Sequence, residues 1–92
     1  MPKFVWNLRK SVANERKHGV SFDEAATVFD DPLRRTMFDV THSRIEDRFW
    51  TIGRSTLGQL LLVVTTVKPD GSIRIISARR PTRRERHDHE QG

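Results

Sequence analysis

The feature that most constrains the fold is an apolar strand that passes directly into an arginine-rich helix near the end of the chain. Residues 73–76 read Ile-Arg-Ile-Ile, which is typical of a strand, and five arginines follow within residues 79–86. Pro81 fixes φ and has no N–H donor, so it suits a first helical turn, and we predict a helix from about Pro81 to Glu90. The N–H groups of a helix N-terminus attract anions. The junction therefore suits phosphate, while a solvated terminal helix would carry the same charges.

The N-terminal part of the chain predicts an edge strand and a first helix. Residues 4–6, Phe-Val-Trp, are β-prone and form only a short segment. Asn7 can cap the following helix, and Gly19 supplies a left-handed end. Apolar residues recur at helical spacing and predict a thin apolar face, made of Leu8, Val12 and Ala13.

A second helix is predicted from Ser21. Glu24 stands three residues after Ser21, which is the capping-box pattern, and Asp30-Asp31-Pro32 ends the helix. Four apolar residues share one helical face and should pack on a sheet: Phe22, Ala25, Ala26 and Phe29.

Strand-forming segments fill the middle of the chain, with turn residues between them. Ser55-Thr56-Leu57-Gly58 makes one turn, and Pro69-Asp70-Gly71 makes a second with Gly71 where positive φ is needed. These short turns predict an antiparallel meander of the last three strands. The nearly continuous apolar run predicts a central strand covered on both sides. The four predicted segments are residues 33–40, 47–54, 59–67 and 72–78.

These elements predict an α+β fold in one small domain that covers residues 1–92. The order is β-α-α, then an antiparallel β meander and a C-terminal helix. A chain of 92 residues has room for one core. The absence of cysteine excludes disulfides and thiolate metal sites and fits a reducing compartment, so we expect a cytoplasmic protein. No apolar run approaches the roughly 18–20 residues of a membrane helix.

The net charge of +5 predicts attraction to polyanions. The commonest such partner is the backbone of RNA or DNA, although an acidic protein would satisfy the same field. The basic residues do not lie opposite a long apolar helical face, so we expect no membrane association.

The chain resembles the BrnT family of small bacterial type II toxins over nearly its whole length. The fragments that carry the resemblance are Phe4-Val5-Trp6, Asn14, Lys17 through Phe22, Ala25, Val28-Phe29, Asp31-Pro32, Glu46 with Arg48, Gly53, Asp70-Gly71, Ile75 through Arg79, and Arg84-Glu85-Arg86.

This resemblance implies a RelE-like fold and a ribonuclease activity that arrests translation. It also implies a BrnA-like antitoxin, which is a ribbon-helix-helix DNA-binding protein, and a complex that represses its own operon. Contact with operator DNA would then occur only through the antitoxin complex.

Two positions depart from the family pattern. Asn7 stands where family members usually have aspartate, and His89 stands where many have a tyrosine in the last helix. If that position contributes proton transfer, histidine can replace tyrosine there and work nearer neutral pH. If the tyrosine mainly packs, His89 carries no such meaning.

RNA cleavage without a metal ion needs a base near the 2′-hydroxyl, cations near the reacting phosphate and an acid for the leaving oxygen. Arg79 is the first candidate for the cation because it lies at the strand-to-helix junction and arginine grips phosphate with a planar fork. The candidate catalytic residues are Arg79, Arg48, His18, Glu85 and His89. The candidate RNA-binding residues are Lys17, Arg54, Arg80, Arg83, Arg84 and Arg86.

Several candidates have structural alternatives. His18 lies at the end of the first helix, where a histidine is favourable in itself. Arg86 could simply pair with Glu90 or Glu46. Neighbouring arginines should lower the pKa of Glu85, which makes an orienting ion pair its preferred role.

The sequence contains no clear pattern for a metal site, a cofactor site or an aromatic stacking site. In the segment His87-Asp88-His89-Glu90, residues two apart do not face the same way on a helix, so we expect no metal site. No glycine-rich phosphate loop occurs, and we expect no cofactor. Trp6 and Trp50 fall on apolar periods and are interpreted as core residues, although one exposed aromatic would help to hold a base.

Two functions remain open on the sequence. The first is a BrnT-like metal-independent endoribonuclease that is neutralised by an antitoxin. The second is a non-catalytic basic module that binds nucleic acid or an acidic protein. Loss of RNA cleavage on substituting Arg79 would distinguish them.

Overall fold

A single five-stranded sheet forms the centre of the molecule, and the computed structural model describes residues 2–42 and 45–92. No helix within these ranges is both long and apolar enough to cross a membrane. The strands are β1 (Phe4–Val5), β2 (Arg35–Phe38), β3 (Phe49–Arg54), β4 (Leu60–Val67) and β5 (Ile73–Arg79). The helices are α1 (Leu8–His18), α2 (Phe22–Thr27) and α3 (Arg83–Gln91), and a 3-10 turn, Val28–Asp30, follows α2. The predicted small α+β fold is confirmed.

The strand order in the sheet is β1-β5-β4-β3-β2. Strands β2 to β5 pair antiparallel with their chain neighbours, and this set includes the meander predicted for the last three strands. β1 lies parallel to β5 at one edge. β4 lies in the middle, which agrees with its nearly continuous apolar sequence. Gly58 and Gly71 adopt φ of 84° and 86° in the turns before β4 and β5, where other residues would be strained.

The sheet has two faces, which pack against different helices. The inner face lies against α1 and α2, and its core consists of Val20, Phe22, Ala25, Val28, Leu61, Val63, Ile75 and Ala78. Alternation along the strands turns the neighbouring residues to the outer face, which lies against α3. Arg35, Met37, Trp50, Ile52 and Leu62 lie there.

The caps of the two N-terminal helices are confirmed. Asn7 Oδ1 accepts from Lys10 N at 3.2 Å, and Ser21 Oγ accepts from Glu24 N at 3.1 Å. The Glu24 carboxylate does not complete the capping box. It is buried instead, and it accepts from Ser55 Oγ at 2.6 Å and from Gln59 Nε2 at 3.1 Å.

The predicted apolar face of α1 is wrong. Leu8 and Val12 are 74% and 44% exposed, whereas Ser11 and Asn14 are buried. Asn14 is buried because its amide joins two backbone segments. Nδ2 donates to Val20 O at 3.0 Å and to Ala78 O at 2.8 Å, while Oδ1 accepts from Ala78 N at 3.2 Å. A polar side chain therefore anchors α1 to β5.

α3 begins two residues later than predicted. Thr82 is the N-cap, and its hydroxyl accepts from Glu85 N while the Glu85 carboxylate accepts from Thr82 N at 2.8 Å. This reciprocal capping box fixes the first helical residue at Arg83 and leaves Pro81 before the helix.

Candidate active site

The register of the sheet places two arginines in one row across the outer face. Arg79 on β5 pairs with Leu62 on β4, Leu62 with Ile52 on β3, and Ile52 with Arg35 on β2. Three strand spacings separate the two ends of the row, which is roughly 14 Å. Two apolar side chains therefore lie between two cations.

α3 crosses this row and is held at both of its ends. Glu85, in its first turn, binds Arg79 in a bidentate pair, with Nη1 to Oε1 at 2.8 Å and Nη2 to Oε2 at 3.0 Å. At the other end, Arg35 Nη2 donates to the carbonyl oxygen of Gly92. None of the residues of α3 is buried, so these polar contacts position the helix.

The Arg79–Glu85 pair changes the chemistry of both groups. Hydrogen bonding from Arg79 lowers the pKa of Glu85 to about 2, with further lowering by Thr82. The same bond raises the pKa of Arg79. The lowered pKa that we predicted for Glu85 is confirmed. A carboxylate this acidic is a weak general base, and it serves better to orient the guanidinium.

Arg79 keeps hydrogen-bonding capacity toward solvent. Nη1 also donates to Arg80 O at 3.2 Å, so the known bonds use both Nη1 hydrogens and one on Nη2. A guanidinium has five N–H groups, so the bonds formed within residues 2–42 and 45–92 leave the Nε hydrogen and one Nη2 hydrogen for an anion. The side chain is 34% exposed.

A cleft of about 210 Å³ lies between α3 and the outer face, and we call it the α3 cleft. Its floor is apolar and its rim is polar. The floor consists of Met37, Trp50, Ile52 and Leu62, and the rim consists of Arg35, Glu85, Asp88 and His89.

His89 faces the α3 cleft and also a second hollow at the β2 edge, which it shares with Arg35 and Arg54. Its Nδ1 atom is buried and has no hydrogen-bond partner within residues 2–42 and 45–92. Buried polar atoms are normally satisfied, so an unsatisfied one needs an explanation. Of the two candidate catalytic histidines, His18 and His89, it is His89 that lines the cleft with Arg35 and Glu85.

Arg54 lies at the same end of the sheet as Arg79. Its Nη1 donates to Gly58 O at 3.2 Å, and its backbone N–H donates to Asp31 Oδ2 at 2.7 Å. The pKa of Asp31 is lowered, first by this bond from Arg54 and then by the bond from the Leu33 backbone.

Arg80 is oriented by a chain of hydrogen bonds that leads from the surface to a buried carboxylate. Its Nε and Nη2 donate to Gln59 Oε1 at 3.0 and 2.8 Å. Gln59 in turn donates through Nε2 to the buried Glu24 carboxylate. Because a carboxylate only accepts, Glu24 fixes which end of the Gln59 amide faces Arg80. Sequence analysis did not identify Glu24 or Gln59 as part of this site.

The other arginines of α3 remain available to solvent. Arg83 and Arg84 are exposed, and Arg86 lies beside Arg80 and Pro81 in a shallow hollow. In the part of the chain that the structure describes, Arg86 forms no ion pair with Glu90 or Glu46. Glu46 lies 3.8 Å from Arg48 instead.

Arg48 precedes β3 and Arg54 ends it, so the structure does not bring the candidate catalytic residue Arg48 to the end of the sheet where Arg79 lies. Six residues of a strand span about 20 Å. Arg48 borders a different hollow, together with His42, Glu46 and Arg74.

Lys17 and His18 lie on the other side of the sheet from Arg79. Both end α1, which Asn14 joins to Ala78 on the inner face. The Arg79 side chain instead binds Glu85 of α3 against the outer face. The structure therefore brings together Arg79, Glu85, His89, Arg54 and Arg80, without Lys17, His18 or Arg48.

Two side chains that line the α3 cleft, Arg35 and Trp50, were not predicted as site residues. Arg35 alternates with Met37 along β2, and this spacing could have marked it as an outer-face residue. Trp50 donates through Nε1 to Asp39 Oδ2 at 2.9 Å and contributes to the cleft floor, while Trp6 packs edge-to-face on Phe22.

The acidic and histidine side chains do not converge on a cation position. Within residues 2–42 and 45–92, no group of three or more His, Asp or Glu side chains could hold a metal ion.

Comparison with known proteins adds family information to this geometry. Residues 6–85 match the model of a family described as ribonuclease toxin, BrnT, of type II toxin-antitoxin system. The fold resembles the crystal structure of the Brucella abortus ribonuclease toxin BrnT, with a TM-score of 0.66 over 90% of this chain and 100% of that chain. The two sequences are 20% identical, so this likeness shows a shared fold. No curated protein sequence matches this chain.

Proposed function

Because the chain belongs to the BrnT family of ribonuclease toxins of type II toxin-antitoxin systems, we propose that it is a metal-independent endoribonuclease with a RelE-like fold, whose cleavage of RNA arrests translation. The observation that carries this proposal is the outer face, where Arg35, Glu85 and His89 line one cleft and Glu85 holds Arg79 beside it. Cations and a proton-transfer group beside a surface open to solvent are what this reaction requires.

The proposed reaction is a transesterification within the RNA. The 2′-oxygen attacks the adjacent phosphorus, the bond from phosphorus to the 5′-oxygen breaks, and a 2′,3′-cyclic phosphate forms. A base takes the 2′-hydroxyl proton and an acid gives a proton to the leaving 5′-oxygen, so charge builds up on the phosphoryl oxygens in between.

Arg79 is proposed to stabilise that charge through its remaining N–H groups. Glu85 is proposed as a positioning residue, because it holds the guanidinium by two bonds and its pKa of about 2 makes it a poor base. His89 is proposed for proton transfer, since it is the histidine that lines the cleft.

The remaining arginines are proposed to hold the RNA backbone. Those at the Arg79 end of the sheet are Arg54, Arg80, Arg83, Arg84 and Arg86. Arg48 would contact RNA that continues along the sheet to its other end. Lys17 and His18 could contact only RNA that wraps around to the helices of the inner face.

RNA cleavage by purified protein tests the proposal. Protein freed from any partner would be incubated with RNA in EDTA, beside Arg79→Ala and a charge-matched control, Arg9→Ala, whose exposed site lies on α1. We expect cleavage with cyclic phosphate ends, a loss of about 10²–10³-fold in Arg79→Ala, and little change in the control. No cleavage by folded protein, with or without ribosomes, would favour the non-catalytic binding module.

His89 has its own test. His89→Gln keeps a polar side chain but cannot carry the proton, so we expect a loss of about 10²–10⁴-fold in rate. An unchanged cleavage rate in His89→Gln would remove His89 from proton transfer while leaving Arg79 untouched.

Family membership implies an antitoxin partner, and we propose a BrnA-like ribbon-helix-helix protein that covers the basic outer face. Operator DNA would be bound only by the complex. Arginine modification measured site by site should slow at Arg79, Arg83 and Arg84 in the complex and stay unchanged at Arg9 of α1. Equal rates at the outer-face sites with and without antitoxin would contradict this placement.

A further inference from the structure

We propose that the α3 cleft binds a single unpaired nucleobase of the RNA substrate, with Trp50 as its aromatic wall and Asp88 and His89 at its polar edge. This inference rests on the proposed ribonuclease function, because it supplies the base that belongs to the nucleotide beside Arg79. It adds a site of base recognition to an enzyme whose other RNA contacts are expected to be with phosphates.

The size of the cleft limits what can enter it. Pockets for drug-sized molecules have volumes of about 300–1,000 Å³, whereas the α3 cleft has about 210 Å³. A cleft of this size admits one ring system, but not a whole nucleotide with its sugar and phosphate. The sugar and phosphate would remain outside, near Arg35 at its rim.

The floor of the cleft offers an aromatic side chain against which a flat ring can stack. Trp50 is held in one orientation because its Nε1–H donates to Asp39, and Met37 and Leu62 lie beside it. Stacking of a base on an aromatic side chain contributes about 1–3 kcal/mol in single-stranded nucleic-acid sites. A fixed ring loses little freedom when a base binds.

The polar edge offers a carboxylate that makes no hydrogen bond or ion pair within residues 2–42 and 45–92. Glu85 is occupied by Arg79 and Thr82, whereas Asp88 has no such side-chain partner there. Asp88 is exposed at the rim and offers only acceptors. Acceptors favour a base with N–H donors on its edge, and guanine presents two adjacent donors there.

Other occupants fit this cleft less well. An apolar side chain would make no use of the polar edge, and an anion would face both Asp88 and Glu85 over an apolar floor. A base has an apolar face and a polar edge, which matches the floor and the rim. Arg79 and Arg35 at the two ends of the row can then bind the flanking phosphates.

Titration with mononucleotides tests the site without requiring cleavage. The protein contains two tryptophans, and each gives one indole N–H resonance in a ¹⁵N-correlated NMR spectrum. Trp50 lines the cleft, whereas Trp6 packs on Phe22 at the inner face and serves as an internal control. The probes would be guanosine, adenosine, cytidine and uridine 5′-monophosphates, with ribose 5-phosphate as the control without a base.

We expect saturable shifts of the Trp50 resonance with guanosine monophosphate and none with ribose 5-phosphate, while Trp6 stays unchanged. Asp88→Asn should weaken the binding of guanosine monophosphate about tenfold and reduce the preference of the protein for it over the other nucleotides. Equal shifts with ribose 5-phosphate, or no shift of Trp50 with any nucleotide, would overturn the base site. If the Trp50 resonance shifts with nucleotides but the protein cleaves no RNA, the proposed ribonuclease activity is refuted and the nucleobase site in the α3 cleft is retained.

Discussion

The two faces of the sheet are held together in different ways. The inner face is covered by α1 and α2 through a continuous apolar core, and the buried amide of Asn14 beside it donates two hydrogen bonds and accepts one. The outer face is covered by α3, whose sequence Arg-Arg-Glu-Arg-His-Asp-His-Glu-Gln contains no apolar residue. Its position depends on polar contacts at its ends, Arg79 with Glu85 and Arg35 with Gly92. Apolar packing therefore holds the helices of the inner face, whereas polar contacts hold the helix of the outer face and leave that face available for chemistry.

The largest expected effect is the loss of a core side chain on the inner face. Leu61 is 0% exposed, and Leu61→Ala should reduce the free energy of unfolding by about 2–5 kcal/mol, since it leaves a cavity in the core. Met37→Ala on the outer face removes a side chain that is 52% exposed and should cost about 1 kcal/mol or less. Denaturant unfolding of both variants measures the contrast. Equal losses would contradict the division between the faces.

A smaller effect is expected from the buried amide of α1. Asn14→Ala removes three hydrogen bonds and leaves Val20 O, Ala78 O and Ala78 N without that partner. Because unsatisfied buried groups are costly, the loss should be about 1–3 kcal/mol. Leu8→Ala on the same helix removes a larger apolar side chain that is mostly exposed, and should cost much less. Thermal unfolding compares the two, and a larger loss for Leu8→Ala would restore the predicted apolar face.

Sequence patterns predicted the inner face better than the outer one. The long apolar run of β4, the caps at Asn7 and Ser21 and the turn glycines are local signals, and each was confirmed. The buried face of α1 was missed because Asn14 is buried by long-range bonds to Ala78, which no local period reveals.

The candidate site depends on relations between strands. Arg79 and Arg35 share a row only because of the register of four strands, and Arg48 is separated from Arg54 by the length of β3. The start of α3 was predicted too early because Pro81 and Thr82 both suit a helix start, and the Thr82–Glu85 capping box decides between them. The link from Glu24 through Gln59 to Arg80 joins residues far apart in sequence, so spacing could not indicate it.

The smallest expected effect concerns the ion pair that holds α3 on the outer face. The pKa of Glu85 is about 2 in the folded protein and 4.5 ordinarily, so the pair stabilises the fold fully above pH 4.5 and loses that contribution as the pH falls toward 2. The side chains are 34% and 23% exposed, so solvent screening limits the contribution to about 1 kcal/mol or less. In Arg79→Ala the main cause of the lowered pKa of Glu85 is absent, and the melting temperature should fall less steeply between pH 4.5 and 2 than in the native protein.

At pH 7 the Arg79→Ala variant should lose little stability while RNA cleavage falls by orders of magnitude. If thermal melts show a loss at pH 7 as large as that of Leu61→Ala, the pair supports the fold, and the outer face shares the structural role assigned to the inner one.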